Sequence, residues 1–187
     1  LLQHLGSGEA EAALTTMGPK AKAAVPQLIT MMENHHQRGA AAGVLASIGR
    51  PAANAAIPII ERYVNEAEYP YVKDLCQALL KLDPASKAAL DGCEKLIATP
   101  LKHPMDNYDI LEAHALLIRG GRDPQAHFRA LTDQLLNPNE RLGGWAAELI
   151  LQCDAQGRTR TNTLDRIFHL CETARDSWAI EVAARGL

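Results

Sequence analysis

The chain has 187 residues, of which 47% are hydrophobic, and its 19 Lys and Arg against 22 Asp and Glu leave a formal charge of -3. This balance excludes a strongly basic nucleic-acid-binding protein, and aromatic residues at 4% leave few rings on which bases could stack. Because no apolar run approaches the ~18 residues of a membrane-spanning helix, we expect no membrane span.

The two ends of the chain are typical of a helical array that continues beyond them. The chain begins with Leu1 rather than Met, and residues 1–5 resemble the last turn of a helix that the glycines at 6 and 8 would stop. Residues 178–187 resemble one helix without its partner. We therefore expect a piece of a longer protein. We place it in the cytoplasm, with the alternative that a signal peptide precedes Leu1 in the longer chain.

A pattern of helix, short turn and second helix recurs along the chain. Residues 14–29 form the first copy and residues 45–60 the second, and Leu14 to Leu45 is a shift of 31. Pro26 to Pro58 is a shift of 32, so the turn of the second copy has one extra residue. With three weaker copies, the predicted repeats are approximately 9–36, 37–67, 70–99, 107–137 and 139–173, with a partial repeat at 176–187.

The second helix of each copy carries apolar residues at helical spacing, which predicts one buried stripe per helix. The predicted stripes are Val25, Leu28, Ile29 and Met32; Ile57, Ile60 and Val64; Leu90, Cys93 and Ile97; Phe128, Leu131 and Leu135; and Leu164, Ile167, Phe168 and Cys171. No segment alternates with a period of two, so we expect no strands.

Prolines place the starts of several of these second helices. Pro26 and Pro58 would each remove a hydrogen bond from a helix that began at the preceding turn, so we expect the helices to begin near residues 23 and 54, after a separate short turn. The pairs at 83–84 and 123–124 are both Asp-Pro, which predicts an Asp N-cap followed by Pro in the first helical position.

The segment Gly-Pro-x-Ala-x-x-Ala-Val-Pro-x-Leu at residues 18–28, with its counterpart at 49–60, resembles the HEAT-like repeats of many bacterial proteins. The resemblance is sharp over about a third of the chain and loose over most of the rest. It implies an all-α fold, a right-handed α-solenoid of about five helix-turn-helix repeats, as a single array over residues 1–187. A related subgroup acts on phycobilin chromophores, but no residue here indicates a bilin pocket.

The search for catalytic and metal-binding motifs is negative. The chain contains no phosphate-binding loop, no nucleophile elbow and no H-E-x-x-H helix, so we expect no enzyme, no cofactor and no metal. His35 and His36 are adjacent and would diverge by about 100° on a helix, which favours a solvated linker over a chelating pair. Glu112 and His114 would also diverge on a helix.

The four cysteines form no C-x-x-C pair, which favours buried thiols in a reducing compartment. Cys76 and Cys93 stand on either side of a predicted turn, at similar heights on two antiparallel helices. We therefore expect these two side chains to lie close together, and the sequence leaves open whether they pair.

With the apolar stripes turned inward, the opposite faces of the later second helices carry about one base and one acid per repeat. We call this set the mixed-charge ledge and predict that it binds a partner; its members are Glu61, Arg62, Glu94, Lys95, Arg129, Asp133, Asp165, Arg166 and His169. The alternative is an ordinary solvated helix face. Mixed charge suits a protein partner better than a phosphate backbone, which requires clustered positive charge.

Three functions remain open. The leading hypothesis is a non-enzymatic protein-interaction or scaffold module. The second is nucleic-acid binding in the manner of HEAT-like DNA glycosylases, which the acidic balance disfavours although Arg158 and Arg160 make one segment locally basic. The third is an accessory domain of a larger enzyme, including one like a bilin lyase.

Overall fold

The computed structural model describes residues 8–66, 72–99, 106–153 and 161–184. In these ranges the chain is helical and contains no strand, which confirms the all-α prediction. The helices are α1 (Gly8–Met17), α2 (Val25–Met31), α3 (Arg38–Ile48), α4 (Arg50–Glu66), α5 (Val72–Leu82), α6 (Lys87–Ala98), α7 (Asp106–Arg119), α8 (Pro124–Asp133), α9 (Glu140–Cys153), α10 (Thr161–Thr173) and α11 (Ser177–Ala184). Two 3-10 segments, Gly18–Ala24 and Gln134–Leu136, precede α2 and follow α8.

The chain divides into two compact units, Leu1–Leu96 and Ile97–Leu187. In the first unit α3 packs against α1, α4 and α5, and α2 packs against α4. In the second unit α9 packs against α7, α8 and α11, and α10 packs against α11 and the second 3-10 segment. The predicted single array over residues 1–187 stays a prediction.

Each unit buries its own apolar core. The first unit encloses large side chains without solvent exposure, namely Leu28, Met32, Leu45, Ile48, Ile60, Leu75 and Leu79. In the second unit the core is a cluster contributed by α7, α8, the second 3-10 segment, α9 and α10, which includes Leu111, Leu131, Leu135, Ile150 and Ile167. No described helix has both the length and the apolar character that crossing a bilayer requires.

The two proline-containing copies start differently. In the first copy the 3-10 segment precedes α2. Pro26 has no N–H to donate to the carbonyl of Lys22, and that carbonyl accepts from the Val25 N–H instead. The predicted separate turn is therefore confirmed there. In the second copy the prediction is wrong, because α4 runs unbroken through Pro58. Residue 54, whose carbonyl loses its partner, is exposed, so water can bind that carbonyl.

The two Asp-Pro turns also differ. Asp123 is the N-cap of α8, since its carboxylate accepts from the Ala126 N–H, and this prediction is confirmed. The corresponding prediction at residues 83–84 is wrong. The Asp83 carboxylate accepts from the Ala85 N–H within the turn. Helix α6 begins at Lys87 rather than at the predicted residue 84, and the Ser86 hydroxyl accepts from the Ala89 N–H at its start.

Candidate functional site

In the first unit the members of the mixed-charge ledge lie on α4 and α6. Arg62, Glu94 and Lys95 are exposed, and Glu61 is half-buried. The guanidinium of Arg62 lies over the buried ring of Tyr63, with its Cζ 4.7 Å from the ring centroid. This cation–π contact holds Arg62 against its own helix.

In the second unit the ledge residues lie on α8 and α10. Arg129, Asp133, Asp165 and His169 are exposed, and Arg166 is half-buried. These side chains are therefore accessible as the sequence predicts, but accessibility alone does not distinguish a binding surface from a solvated helix face.

One face of α10 combines charge with an exposed aromatic ring. Asp165, Phe168, His169 and Glu172 follow one another at helical spacing, and all four are exposed. Phe168 is 51% exposed. Leu136, 56% exposed, ends the 3-10 segment that packs against this helix. We call the four α10 residues the Phe168 face.

The exposure of Phe168 corrects the predicted stripe on α10. Leu164 and Cys171 are half-buried and Ile167 is fully buried, but Phe168 points away from the core. Relative to the predicted orientation, α10 is rotated about its axis, so that Leu170 and the small polar Thr163 are buried in place of Phe168. The apolar residues at 167, 170 and 174 have helical spacing and could have indicated this rotation.

A pair of histidines that the sequence analysis did not single out joins α7 to α8. The Nδ1 atoms of His114 and His127 are 2.8 Å apart, and both rings are half-buried. Burial, and next the neighbouring charge of His127, lower the pKa of His114 to about 4. The two residues are thirteen positions apart on different helices, so no sequence motif joins them.

A cavity of about 290 Å³ lies beside this pair. Its lining is half polar and half apolar and consists of Asn107, Ile110, Leu111, His114, Ala130, Asp133, Gln134 and Leu142. The ledge residue Asp133 thus shares a cavity with His114. The exposure of Asp133 is predictable from the sequence, but the cavity is not.

The other two pairs noted in the sequence behave differently from each other. Cys76 and Cys93 are free and fully buried, and their thiols are hydrogen-bonded, so the expected proximity is confirmed. That contact, together with burial, raises the pKa of the Cys76 thiol, which makes it a poor nucleophile. His35 and His36 lie in an exposed turn, which agrees with the predicted solvated linker. Because this turn is not helical, the two rings do not diverge as they would on a helix, and their centroids are 3.8 Å apart.

Polar contacts also hold α11 against α9. The Glu140 carboxylate accepts from the backbone N–H groups of Arg175 and Asp176, at 2.7 Å each. The Arg141 guanidinium donates to the Asp176 carboxylate at 2.8 Å, and this hydrogen bond lowers the pKa of that carboxyl. These contacts link the starts of two helices and have a structural role.

No group of three or more His, Cys, Asp and Glu among the described residues could hold a metal ion. The locally basic segment with Arg158 and Arg160 lies outside the described residues, as do residues 1–7 and 185–187 at the chain ends. Comparison of the chain with protein-family models, curated proteins and solved structures found no match.

Proposed function

We propose that the chain is a non-enzymatic protein-interaction module built from stacked HEAT-like helix pairs, and that the Phe168 face binds a protein partner. The stacking part of the proposal is supported within each unit. The first helices of successive repeats pack against one another, α1 with α3 and α3 with α5 in one unit, and α7 with α9 and α9 with α11 in the other. Helix pairs that stack in a row have this neighbour pattern.

The binding part of the proposal depends on the exposure of Phe168. Aromatic side chains are enriched at the centres of protein interfaces, where a polar rim surrounds them. Asp165 and Glu172 supply negative charge on the same face, and His169 adds a polar ring, whereas the half-buried Arg166 lies on the flank of α10, well away from Phe168. Covering the exposed part of the ring would return on the order of 1 kcal/mol, so a partner with an apolar pocket and a mixed polar rim fits this face.

The proposal is tested with Phe168→Ser and a matched control, Met17→Ser, which removes an exposed apolar side chain, 42% exposed, from the first unit. A partner captured by the wild-type chain should be recovered equally by Met17→Ser. Its affinity for Phe168→Ser, measured by calorimetry, should fall by about five- to tenfold while the helical circular dichroism stays unchanged. Equal affinity for both variants would refute the binding face.

The wider mixed-charge ledge is tested by charge reversal. Arg62→Glu, Lys95→Glu and Arg166→Glu should each weaken the same complex if the ledge extends the interface, and the weakening should diminish at high salt. If only Arg166→Glu has an effect, the interface is confined to the neighbourhood of the Phe168 face.

A further inference from the structure

His114 and His127 meet head-on across the boundary between α7 and α8. Their ring centroids are 5.0 Å apart and their Nδ1 atoms 2.8 Å apart. For two rings whose nitrogens are 2.8 Å apart, the distance between the ring centroids is largest when both nitrogens lie on the line that joins the centroids. The observed centroid distance is close to that maximum. The two nitrogens therefore lie near the line between the ring centres, and the lone pair of one points at the other. Two ligands of one metal ion would instead point at a common third position.

A head-on pair of this kind can hold one hydrogen between its nitrogens. An imidazole Nδ1 either carries a hydrogen and donates, or carries a lone pair and accepts. The bond thus forms when both rings are neutral, with one in each tautomer, and also when one ring is a cation. When both rings are cations, two donors and two positive charges face each other, and the bond cannot form.

Few charged groups among the described residues could offset a second positive charge. Asp123 lies one helical turn before His127, but its carboxylate is exposed to solvent and accepts from the Ala126 N–H. Of the described residues that line the adjoining cavity, Asp133 is the charged one, and it is exposed to solvent. From α9 the lining residue is Leu142, and from α7 the lining residues beside His114 are uncharged. By helical geometry Glu112 and Arg129 lie on the opposite sides of α7 and α8 from the two histidines. Burial of His114 adds to the cost, and it is the larger cause of its lowered pKa.

We propose that His114 and His127 form a one-proton latch, which holds α8 against α7 while the pair carries at most one positive charge and releases it when a second proton binds. Release separates the two nitrogens and widens the cavity beside them. Because Asp133 belongs both to that cavity and to α8, the position of this ledge residue changes with the latch. The latch stands independently of the proposed partner binding.

The test is an NMR titration of the full chain, with labelled histidines, from about pH 8 to pH 3.5. The latch predicts that His114 stays neutral until below about pH 5, and that the contact between the two rings, seen as a nuclear Overhauser effect, disappears in that same step. The first unit should stay folded through that step, so its amide resonances should remain dispersed, with shifts only beside its own Asp and Glu side chains. The latch is refuted if both rings titrate independently near pH 6.5, or if the first unit unfolds in the same step.

A pair of variants provides the control. His127→Gln removes the neighbouring charge and should raise the titration midpoint of His114, whereas His169→Gln, an exposed histidine on α10, should leave it unchanged. A midpoint for His114 that is the same in wild type and His127→Gln would overturn the coupling. If His127→Gln does not fold, the wild-type titration decides alone.

Discussion

At Gly92 the absence of a side chain allows α6 to approach α4 and α5. A Cβ atom there would lie 2.7 Å from Cys76 Sγ and 2.7 Å from Val64 Cγ1, closer than real Cβ contacts come. Gly92 thus determines how closely α6 packs. Its helix propensity gives no indication of this role, because glycine inside a helix is by itself unfavourable.

We expect Gly92→Ala to lower the free energy of unfolding by about 2 kcal/mol, because the buried neighbours must move apart. Gly43→Ala is the matched control. It is also a glycine inside a helix, but its Cβ would meet only Glu11 Oε1, at 3.8 Å. That change should raise stability by about 0.5–1 kcal/mol. Urea unfolding followed by circular dichroism measures both, and equal stabilisation by the two variants would contradict the close approach.

At the scale of helices, the first two repeats show how one residue changes the type of a helical turn. From Gly18 to Pro26 the chain has one residue fewer than from Gly49 to Pro58. A 3-10 turn rotates about 120° per residue against about 100° for an α-helix, so seven 3-10 residues turn only about 40° farther than eight α residues. The shorter copy thereby presents its apolar stripe on nearly the same side as the longer copy.

The packing of α11 on α9 depends on Gly144. A Cβ there would lie 2.7 Å from the carbonyl oxygen of Ala179 and 2.9 Å from its Cα. These are backbone atoms, so they cannot move without moving α11. We expect Gly144→Ala to lower stability by about 3 kcal/mol and to disturb the stacked rings of Trp145 and Trp178, whose centroids are 6.3 Å apart.

Tryptophan fluorescence and near-ultraviolet circular dichroism report that stacking, and Gly43→Ala again serves as a glycine-to-alanine control in another helix. If Gly144→Ala unfolds like the control and leaves both tryptophan signals unchanged, the close contact between the two helices is wrong.

For the whole molecule, the His114 environment predicts a pH dependence of stability. The pKa of His114 is lowered from 6.5 to about 4 in the folded chain. Between these values the unfolded chain binds a proton there and the folded chain does not, so the free energy of unfolding falls as the pH falls from 6.5 to 4. Because the ring is partly exposed, we expect a loss of about 1–2 kcal/mol across this window.

Urea unfolding of wild type and His114→Gln at pH 7, 6 and 5 measures this loss. The variant should lose less stability than wild type over the same range, whatever its stability at pH 7. Parallel pH profiles for the two proteins would show that His114 is not the group responsible.

The local features of this chain were predictable because they depend on neighbours in sequence. Helical periodicity, the repeat at residues 18–28 and 49–60, and the cap at Asp123 all arise from contacts within about four residues. The proximity of Cys76 and Cys93 was also predictable, since a short turn between two helices determines which positions face each other. The start of α6 was not, because two capping residues, Asp83 and Ser86, compete there.

Apolar spacing and turn residues act over short distances, so the sequence alone predicts that the described chain is helical and that most ledge positions are accessible. Packing between helices is what turns Phe168 toward solvent, brings Gly144 against the backbone at Ala179 and joins His114 to His127 by a hydrogen bond. These contacts could not be predicted because the rotation of a helix about its axis is set by the neighbours it packs against. A pattern within one helix restricts that rotation to a range of angles, and the packed core of the unit selects one of them.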